Sequence, residues 1–149
     1  MRIEEEILQK SFKSEYHKLA VNIIFTHGCL TSLQRGFFDR FSITVNQYNI
    51  LRILRGQHPN PISINLLKER MLDKMSDTSR LVERLRAKGL VERKICKNDR
   101  RKSDVKVTSK GLELLSKLEP IDLEVERTLK ALSNDEAEKL NNLLDKMRG

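Results

Sequence analysis

Residues 76–108, SDTSRLVERLRAKGLVERKICKNDRRKSDVKVT, decide the fold. Apolar residues at three- and four-residue spacing predict a helix over about residues 76–88. Gly89 is expected to end this helix as a left-handed cap. Apolar and polar residues then alternate in residues 90–95 and again in residues 104–108, which predicts two paired strands. The stretch therefore predicts a helix that leads directly into a β-hairpin.

The segment upstream supplies the missing half of this motif. A capping box, Thr44 to Gln47, predicts the start of a helix, and residues 56–61 (GQHPNP) predict a turn after it. Ser63 is expected to cap a short helix, which a polar turn over residues 72–75 separates from the helix described above. A short helix, a turn, a helix and a hairpin in this order predict a winged helix-turn-helix.

Helices are predicted on both sides of this motif. Apolar residues at helical spacing predict one long helix over residues 3–35. Thr108 is expected to cap another helix, which Pro120 should either kink or break near Glu119. A second capping box, Ser133 to Glu136, opens a terminal amphipathic helix. We therefore predict a single domain over residues 1–149, mostly α with a small β-hairpin wing.

The charge of the chain is concentrated in one segment. The 149 residues carry a net charge of +8, and residues 62–110 alone carry 15 basic and 7 acidic side chains. Residues 1–30 are neutral by the same count, and residues 111–149 are acidic. An uneven distribution of this kind indicates a polyanionic partner, although a charged run can also be a solvated face.

Other features argue against several protein classes. Cys29 and Cys96 stand far apart, so neither a disulfide scaffold nor a structural zinc site is expected. His17, His27 and His58 are scattered, which predicts no metal site, and we expect no cofactor. The acidic start and the absence of a long apolar run predict a cytoplasmic protein without a membrane span. Since no nucleophile lies in a pattern with a base, the chain is not expected to be an enzyme.

The helix of residues 76–88 is the candidate recognition helix. Its apolar stripe leaves a polar face, on which Arg80 and Arg84 lie one turn apart. Hydroxyl groups near a helix N-terminus can bond phosphates or bases, and Arg can donate two hydrogen bonds to guanine. The candidate DNA-binding residues are Ser76, Asp77, Thr78, Ser79, Arg80 and Arg84. A solvated helix with a serine cap and an Arg80–Glu83–Arg84 charge cluster is the alternative.

Basic residues also crowd the predicted tip of the hairpin. Lys97, Arg100, Arg101 and Lys102 lie within six residues, in a loop that we expect to span residues 96–103. A wing tip rich in arginine suits the narrow minor groove of DNA, where negative potential is concentrated. Asp99 either orients one of these arginines by ion pairing or relieves their mutual repulsion.

The sequence from Val45 to Leu115 resembles the multiple-antibiotic-resistance regulator (MarR) family of bacterial transcription factors. The matching pieces are Gln47-Tyr48-Asn49-Ile50-Leu51, Ser76 to Leu85, Lys88 to Arg93, Asp99-Arg100-Arg101 and Val107 to Gly111. One departure is the turn of residues 72–75 (LDKM), where many relatives have Gly and Pro. That difference leaves the angle of the recognition helix open.

The resemblance implies an assembly and a site. It implies a homodimer in which residues 1–35 and 111–149 form the dimerisation region and residues 44–110 bind a pseudo-palindromic operator. It also implies that the residues of the recognition helix and the wing contact double-stranded DNA. Relatives often bind small aromatic or phenolic effectors, and some sense oxidants through a cysteine. Tyr16 and Cys29 are the candidate sensor residues on this chain, and packing in the core or in an interface is the alternative for both.

Together these observations predict a homodimeric, sequence-specific transcriptional regulator, most simply a repressor that a ligand releases from DNA. Two alternatives use the same basic surface. A nonspecific or architectural DNA-binding protein would show no preference among duplex sequences. A protein–protein adaptor would use the winged helix to bind an acidic partner and would have little affinity for DNA.

Overall fold

The computed structural model describes the backbone of residues 1–96 and 99–149 and the side chains of residues 1–94 and 103–149. The elements are short helices around a small antiparallel sheet. They are α1 (Ile3–Glu6), α2 (Glu15–Phe38), a 3-10 helix (Asp39–Phe41), α3 (Val45–Arg55), β1 (Ile62–Ser63), α4 (Ile64–Arg70), α5 (Thr78–Ala87), β2 (Val91–Cys96), β3 (Asp99–Val107), α6 (Ser109–Leu118), α7 (Pro120–Leu129) and α8 (Asn134–Arg148). The predicted fold class is confirmed. In the described part of the chain, no helix is long and apolar enough to cross a membrane.

The chain divides into two compact units, Met1–Val45 and Asn46–Gly149. In the first unit, the prediction of one helix over residues 3–35 is wrong, because two helices occupy that segment. Leu8 adopts a left-handed conformation with φ of 53°, which interrupts the helix. Ser14 then caps α2 by accepting a hydrogen bond from the backbone amide of His17. Periodicity missed this break because apolar spacing continues on both sides of it.

The second unit contains the winged helix-turn-helix. Helix α3 begins directly after Thr44, and the Ser63 hydroxyl accepts from the amide of Leu66 at the start of α4, as predicted. The two-residue strand β1 was not predicted, since so short a strand has no alternation to reveal it. Its Ile62 pairs with Val105 of β3, so that β3 lies between β1 and β2.

Helix α5 and the hairpin differ from the prediction at their ends. The helix begins at Thr78 rather than residue 76, because the Asp77 carboxylate caps it by accepting from the amide of Arg80 at 3.0 Å. Gly89, with φ of 72°, ends it as predicted. The predicted loop over residues 96–103 is wrong, because β3 already begins at Asp99. Strand pairing needs only backbone groups, so a basic stretch without alternation can still form a strand.

An irregularity in pairing accompanies this longer strand. Ile95 of β2 pairs with Ser103 of β3, whereas the next residue, Cys96, pairs with Asp99. A bulge of this kind places more residues on one strand than on the other and increases the local twist. The basic sequence of the wing therefore lies on β3 and not only in the connection between strands.

The C-terminal helices follow the predicted boundaries. Thr108 caps α6 by accepting from the amide of Gly111 at 3.1 Å. Helix α6 ends at Leu118 and α7 begins at Pro120, so the predicted disturbance near Glu119 is confirmed, and it separates two helices. The predicted capping box at the start of α8 is confirmed by hydrogen bonds in both directions between Ser133 and Glu136.

The core of the second unit lies between α3, α4, α5, the sheet and the start of the C-terminal helices. Its fully buried side chains come from all of these elements: Ile50, Leu51, Leu54, Leu67, Met71, Val82, Leu85, Val105, Leu115, Leu118 and Ile121. Helix α8, in contrast, contributes no buried residue.

Candidate nucleic-acid interface

The two faces of α5 differ in what they contact. Thr78, Val82 and Leu85 are buried, as the predicted stripe requires, while Leu81 is half-buried. The opposite face exposes Ser79, Arg80 and Arg84 to solvent. Burial of one face fixes the helix on the core, and the polar face remains available for a partner.

The guanidinium groups of Arg80 and Arg84 pair with no side chain or carbonyl in the described part of the structure. The predicted alternative, a charge cluster of these two residues with Glu83, is not formed in the structure. Glu83 instead accepts from Arg86 Nε at 2.9 Å and from an Arg93 amino group at 2.6 Å. Two unpaired guanidinium groups on one exposed helix face are suited to bind phosphate or guanine.

Glu83 and Arg93 connect the helix to the wing, a contact that the sequence analysis missed. Arg93 lies on β2 and donates from its Nε to the Ser103 hydroxyl of β3 at 3.1 Å, in addition to its bond with Glu83. The pKa of the Glu83 carboxyl is lowered by hydrogen bonds from Arg93 and then from Arg86. A network across three elements holds the wing at a defined position relative to α5.

The polar residues before α5 are engaged within the protein. Ser76 is half-buried and donates its hydroxyl to the Asp73 carbonyl at 2.8 Å, and Asp77 is the helix cap. Thr78 is only 3% exposed, and its hydroxyl has no hydrogen-bond partner among the described residues. Of the predicted hydroxyl groups, that of Ser79 is therefore the one on the exposed face of α5.

The turn between α4 and α5 is held by side chains of α3. Asn49 accepts from the amide of Leu72 at 3.0 Å, and Asn46 donates to one Asp73 carboxylate oxygen at 2.9 Å. The other Asp73 oxygen accepts from the amide of Met75 at 3.0 Å. These bonds define the turn without the Gly and Pro found in many relatives. Neither contact was predicted from the sequence, since the partners of both asparagines are about 25 residues away along the chain.

The predicted wing residues are placed only by their backbone. Asp99, Arg100, Arg101 and Lys102 lie in β3, but their side chains fall outside the described part of the structure. Lys97 lies outside the described residues altogether. The prediction that Asp99 orients an arginine therefore stays a prediction.

The candidate sensor residues lie on α2, in the first unit. Tyr16 is 85% exposed, and Cys29 is an exposed free thiol. Within the described ranges, no group of three or more His, Cys, Asp or Glu residues is arranged to hold a metal ion.

A second polar network, also missed from the sequence, joins α3 to the C-terminal helices. Arg52 donates to Asp122 at 2.7 Å, and the Tyr48 hydroxyl donates to the same carboxylate at 3.2 Å. Arg55 pairs with Glu119 at 3.4 Å. Burial is the main cause of the raised pKa of Tyr48. The first helix of the winged domain is thereby tied to the junction between α6 and α7.

Comparison with known proteins assigns this arrangement to a family. A model of the MarR family matches residues 41–102. The crystal structure of a MarR transcription factor from Planctomyces limnophilus is 31% identical, with a TM-score of 0.69, over 91% of this chain and 98% of that one. The chain belongs to the MarR family. The resemblance predicted from the sequence is confirmed. As a member of this family, the protein is a DNA-binding transcriptional regulator.

Two further relatives describe what similar chains do. The HTH-type transcriptional repressor IacR of Pseudomonas putida is 24% identical over 120 residues, which are 80% of this chain and 71% of that protein. BpsR of Bordetella bronchiseptica, whose DNA binding is regulated by 6-hydroxynicotinic acid, is 20% identical. Its TM-score is 0.76 over 89% of this chain and 99% of that one. The family and the fold are those of transcription regulators rather than enzymes.

Proposed function

We propose that this protein is a ligand-responsive repressor that binds a pseudo-palindromic operator as a homodimer. In this proposal residues 44–110 bind double-stranded DNA, and residues 1–35 and 111–149 form the dimerisation region. The observation that carries the proposal is the exposed face of α5, with Ser79, Arg80 and Arg84.

The geometry of α5 supports binding in the major groove. Its buried face packs on the core, and Arg80 and Arg84 on the opposite face pair with no described side chain. Since Glu83 is held by Arg86 and Arg93, its carboxylate does not neutralise Arg80 or Arg84. The recognition helix of a helix-turn-helix enters the major groove, where Arg reads guanine through O6 and N7. Arg84 is accordingly the proposed base-reading residue.

The terminal helix supports a dimer. Helix α8 repeats apolar residues at positions three and four apart, yet Leu140, Leu143 and Met147 are about half exposed or more. An amphipathic helix without a buried face is stable only when a partner covers its apolar stripe. A second copy of the chain is the proposed partner, because a two-fold dimer matches the symmetry of a palindromic operator.

The response to a ligand is proposed from the relatives. IacR is a repressor, and BpsR responds to a small aromatic acid. A small aromatic or phenolic effector is accordingly proposed for this chain as well. The effector would bind more tightly to the form of the dimer that does not bind DNA. The difference in its binding free energy between the two forms sets how far operator affinity falls.

The proposal is tested by fluorescence anisotropy at about 150 mM salt, an ionic strength at which specific and nonspecific binding separate. The probe is the duplex upstream of the gene for this protein, and a shuffled duplex is the competitor. A preference of at least about 10³ for the first duplex is expected of a specific regulator. Equal binding of both duplexes would support the nonspecific alternative, and little affinity for either would support the adaptor.

The wing is tested separately through the salt dependence of binding. Arg100→Ala should weaken binding to all duplexes and reduce the slope of log K against log salt by about one unit if Arg100 contacts a phosphate. An unchanged slope with unchanged affinity would remove Arg100 from the interface.

A further inference from the structure

The turn between α4 and α5 exposes two large apolar side chains beside the recognition helix. Leu72 is 84% exposed and Met75 is 93% exposed. They lie in the segment of the chain that carries the excess of basic residues, with Lys74 between them. Exposed apolar side chains in such a setting contribute nothing to the core, and they are available for an apolar contact with a partner.

Hydrogen bonds hold this turn in one conformation. Asn46 and Asn49 of α3 bond Asp73 and Leu72, and Asp73 in turn accepts from the backbone of Met75 and from the Ser76 hydroxyl. The Lys74 ammonium donates to the carbonyl of Glu69. A turn fixed in this way presents its side chains without paying the entropy of ordering a loop on binding.

The position of Met75 relates it to the proposed DNA surface. It precedes the helix cap Asp77 by two residues, so their Cα atoms lie within about 8 Å of each other. The first residues of a recognition helix are the ones that meet base edges in the major groove. The major groove offers one apolar group, the C5-methyl of thymine, and side chains recognise it by apolar contact.

We propose that Met75, together with Leu72, reads thymine methyl groups at one end of the contact made by α5. This inference rests on the proposed function, and it adds an apolar determinant of sequence preference to the polar contacts of Arg80 and Arg84. The occupant of the exposed turn is DNA rather than a protein, since the turn is continuous with α5 and lies in the basic segment of the chain.

The experiment compares thymine with deoxyuridine, which differs only by the methyl group. A duplex is first enriched by in vitro selection with the full-length wild-type protein, and each thymine in it is then replaced singly by deoxyuridine. At one or more positions in each half-site, the wild-type Kd should rise by about fourfold, the factor expected for one buried methyl group. Deoxyuridine placed outside the enriched sequence, in the flanking part of the same duplex, is the control and should leave the Kd unchanged.

Substitutions of Met75 then connect the methyl group to this side chain. At the thymine that Met75 contacts, Met75→Ala and Met75→Gln should bind the thymine and deoxyuridine duplexes equally, whereas Met75→Leu should keep the preference for thymine. Met75→Gln retains the length of the side chain and changes its polarity. All three variants should have the wild-type unfolding temperature, because Met75 is almost fully exposed.

The results separate the two proposals. If no duplex is enriched over random sequence, the proposed function fails, and the reading of thymine fails with it. If a duplex is enriched and bound tightly but tolerates every deoxyuridine, only the role of Met75 is overturned. The same holds if Met75→Ala keeps the preference for thymine, because another side chain would then read the methyl group. Tolerance of every deoxyuridine would leave a protein partner as the occupant of the turn.

Discussion

Helices α5 and α8 are both amphipathic, but they lack opposite kinds of partner. In α5 the apolar face is buried in the core, and the polar face carries two arginines that pair with no described side chain. In α8 the polar capping box is complete, while the apolar stripe is exposed. In the proposed function, DNA supplies the anionic groups that contact α5, and a second copy of the chain covers the apolar stripe of α8.

The largest expected effect comes from making the stripe of α8 charged. The double substitution Leu140→Glu and Leu143→Glu should abolish the proposed dimer, since burial of one leucine stabilises by about 1.5–3 kcal/mol. The loss of two leucines weakens the dimer by at least about two orders of magnitude. Sedimentation equilibrium would measure the change.

Asn142→Glu, on the opposite face of α8, is the matched control and should leave the dimer intact. Operator affinity should fall with dimerisation, because a monomer holds only one half-site. If the variant with the charged stripe still formed a stable dimer, the dimer interface would lie elsewhere than on α8.

The second prediction tests the framework that holds α5 and the wing. Gly111 lies in the first turn of α6, against the base of the wing. A Cβ atom there would lie 2.3 Å from the Leu90 carbonyl oxygen and 2.7 Å from a Val107 methyl. Gly111→Ala must therefore displace backbone, and we expect a loss of about 3 kcal/mol or more of unfolding free energy. Chemical denaturation would measure the loss.

Gly36→Ala provides the contrast within α2. A Cβ at Gly36 meets no atom within 4 Å, and alanine is the better helix former. That variant should be more stable than the wild type by about 0.5–1 kcal/mol. Wild-type stability in Gly111→Ala would contradict the close approach of α6 to Leu90.

The third prediction sharpens the role of the polar face of α5. Arg84→Ala should reduce the preference for the operator over random DNA by about 1–3 kcal/mol if this side chain reads a base. Anisotropy titrations with both duplexes would measure the preference. Arg127→Ala is the control, since Arg127 lies on α7 and pairs with Glu124 on the same helix. Equal losses on both duplexes would make Arg84 a phosphate contact only.

The smallest effect concerns the bond between α5 and the wing. Because Arg93 and Arg86 lower the pKa of Glu83 in the folded protein, its contribution to stability is present above the ordinary pKa of 4.5 and is lost as the pH falls below it. Glu83→Gln should therefore be less stable than the wild type at pH 7, by no more than about 1 kcal/mol because the pair is partly exposed.

Urea denaturation between pH 3 and pH 7 would follow this difference, which should be constant down to about pH 4.5 and shrink below it. Glu92→Gln is the control, since Glu92 pairs only with Lys106 in the described part of the sheet. A difference that persisted unchanged at pH 3 would show that the charge of Glu83 does not stabilise the wing.

Local signals in the sequence predicted most helix ends and missed contacts between distant segments. Ser63, Thr108, Ser133 and Gly89 ended or began helices as expected, because a cap acts on atoms three or four residues away. The break before Ser14 was hidden by apolar spacing that continues through it. Because Arg93 is ten residues from Glu83 along the chain, no local pattern revealed that Glu83 bonds Arg93 and not Arg80 or Arg84.

The sequence by itself determined the winged helix-turn-helix, the basic segment and the family, since periodicity, capping and composition are properties of neighbouring residues. Only the tertiary structure decided which arginines of α5 pair with no described side chain, how Asn46 and Asn49 hold the turn before it, and that β3 extends to Asp99. Those features depend on side chains and strands that are far apart in sequence. Their distances are fixed only when the chain has folded.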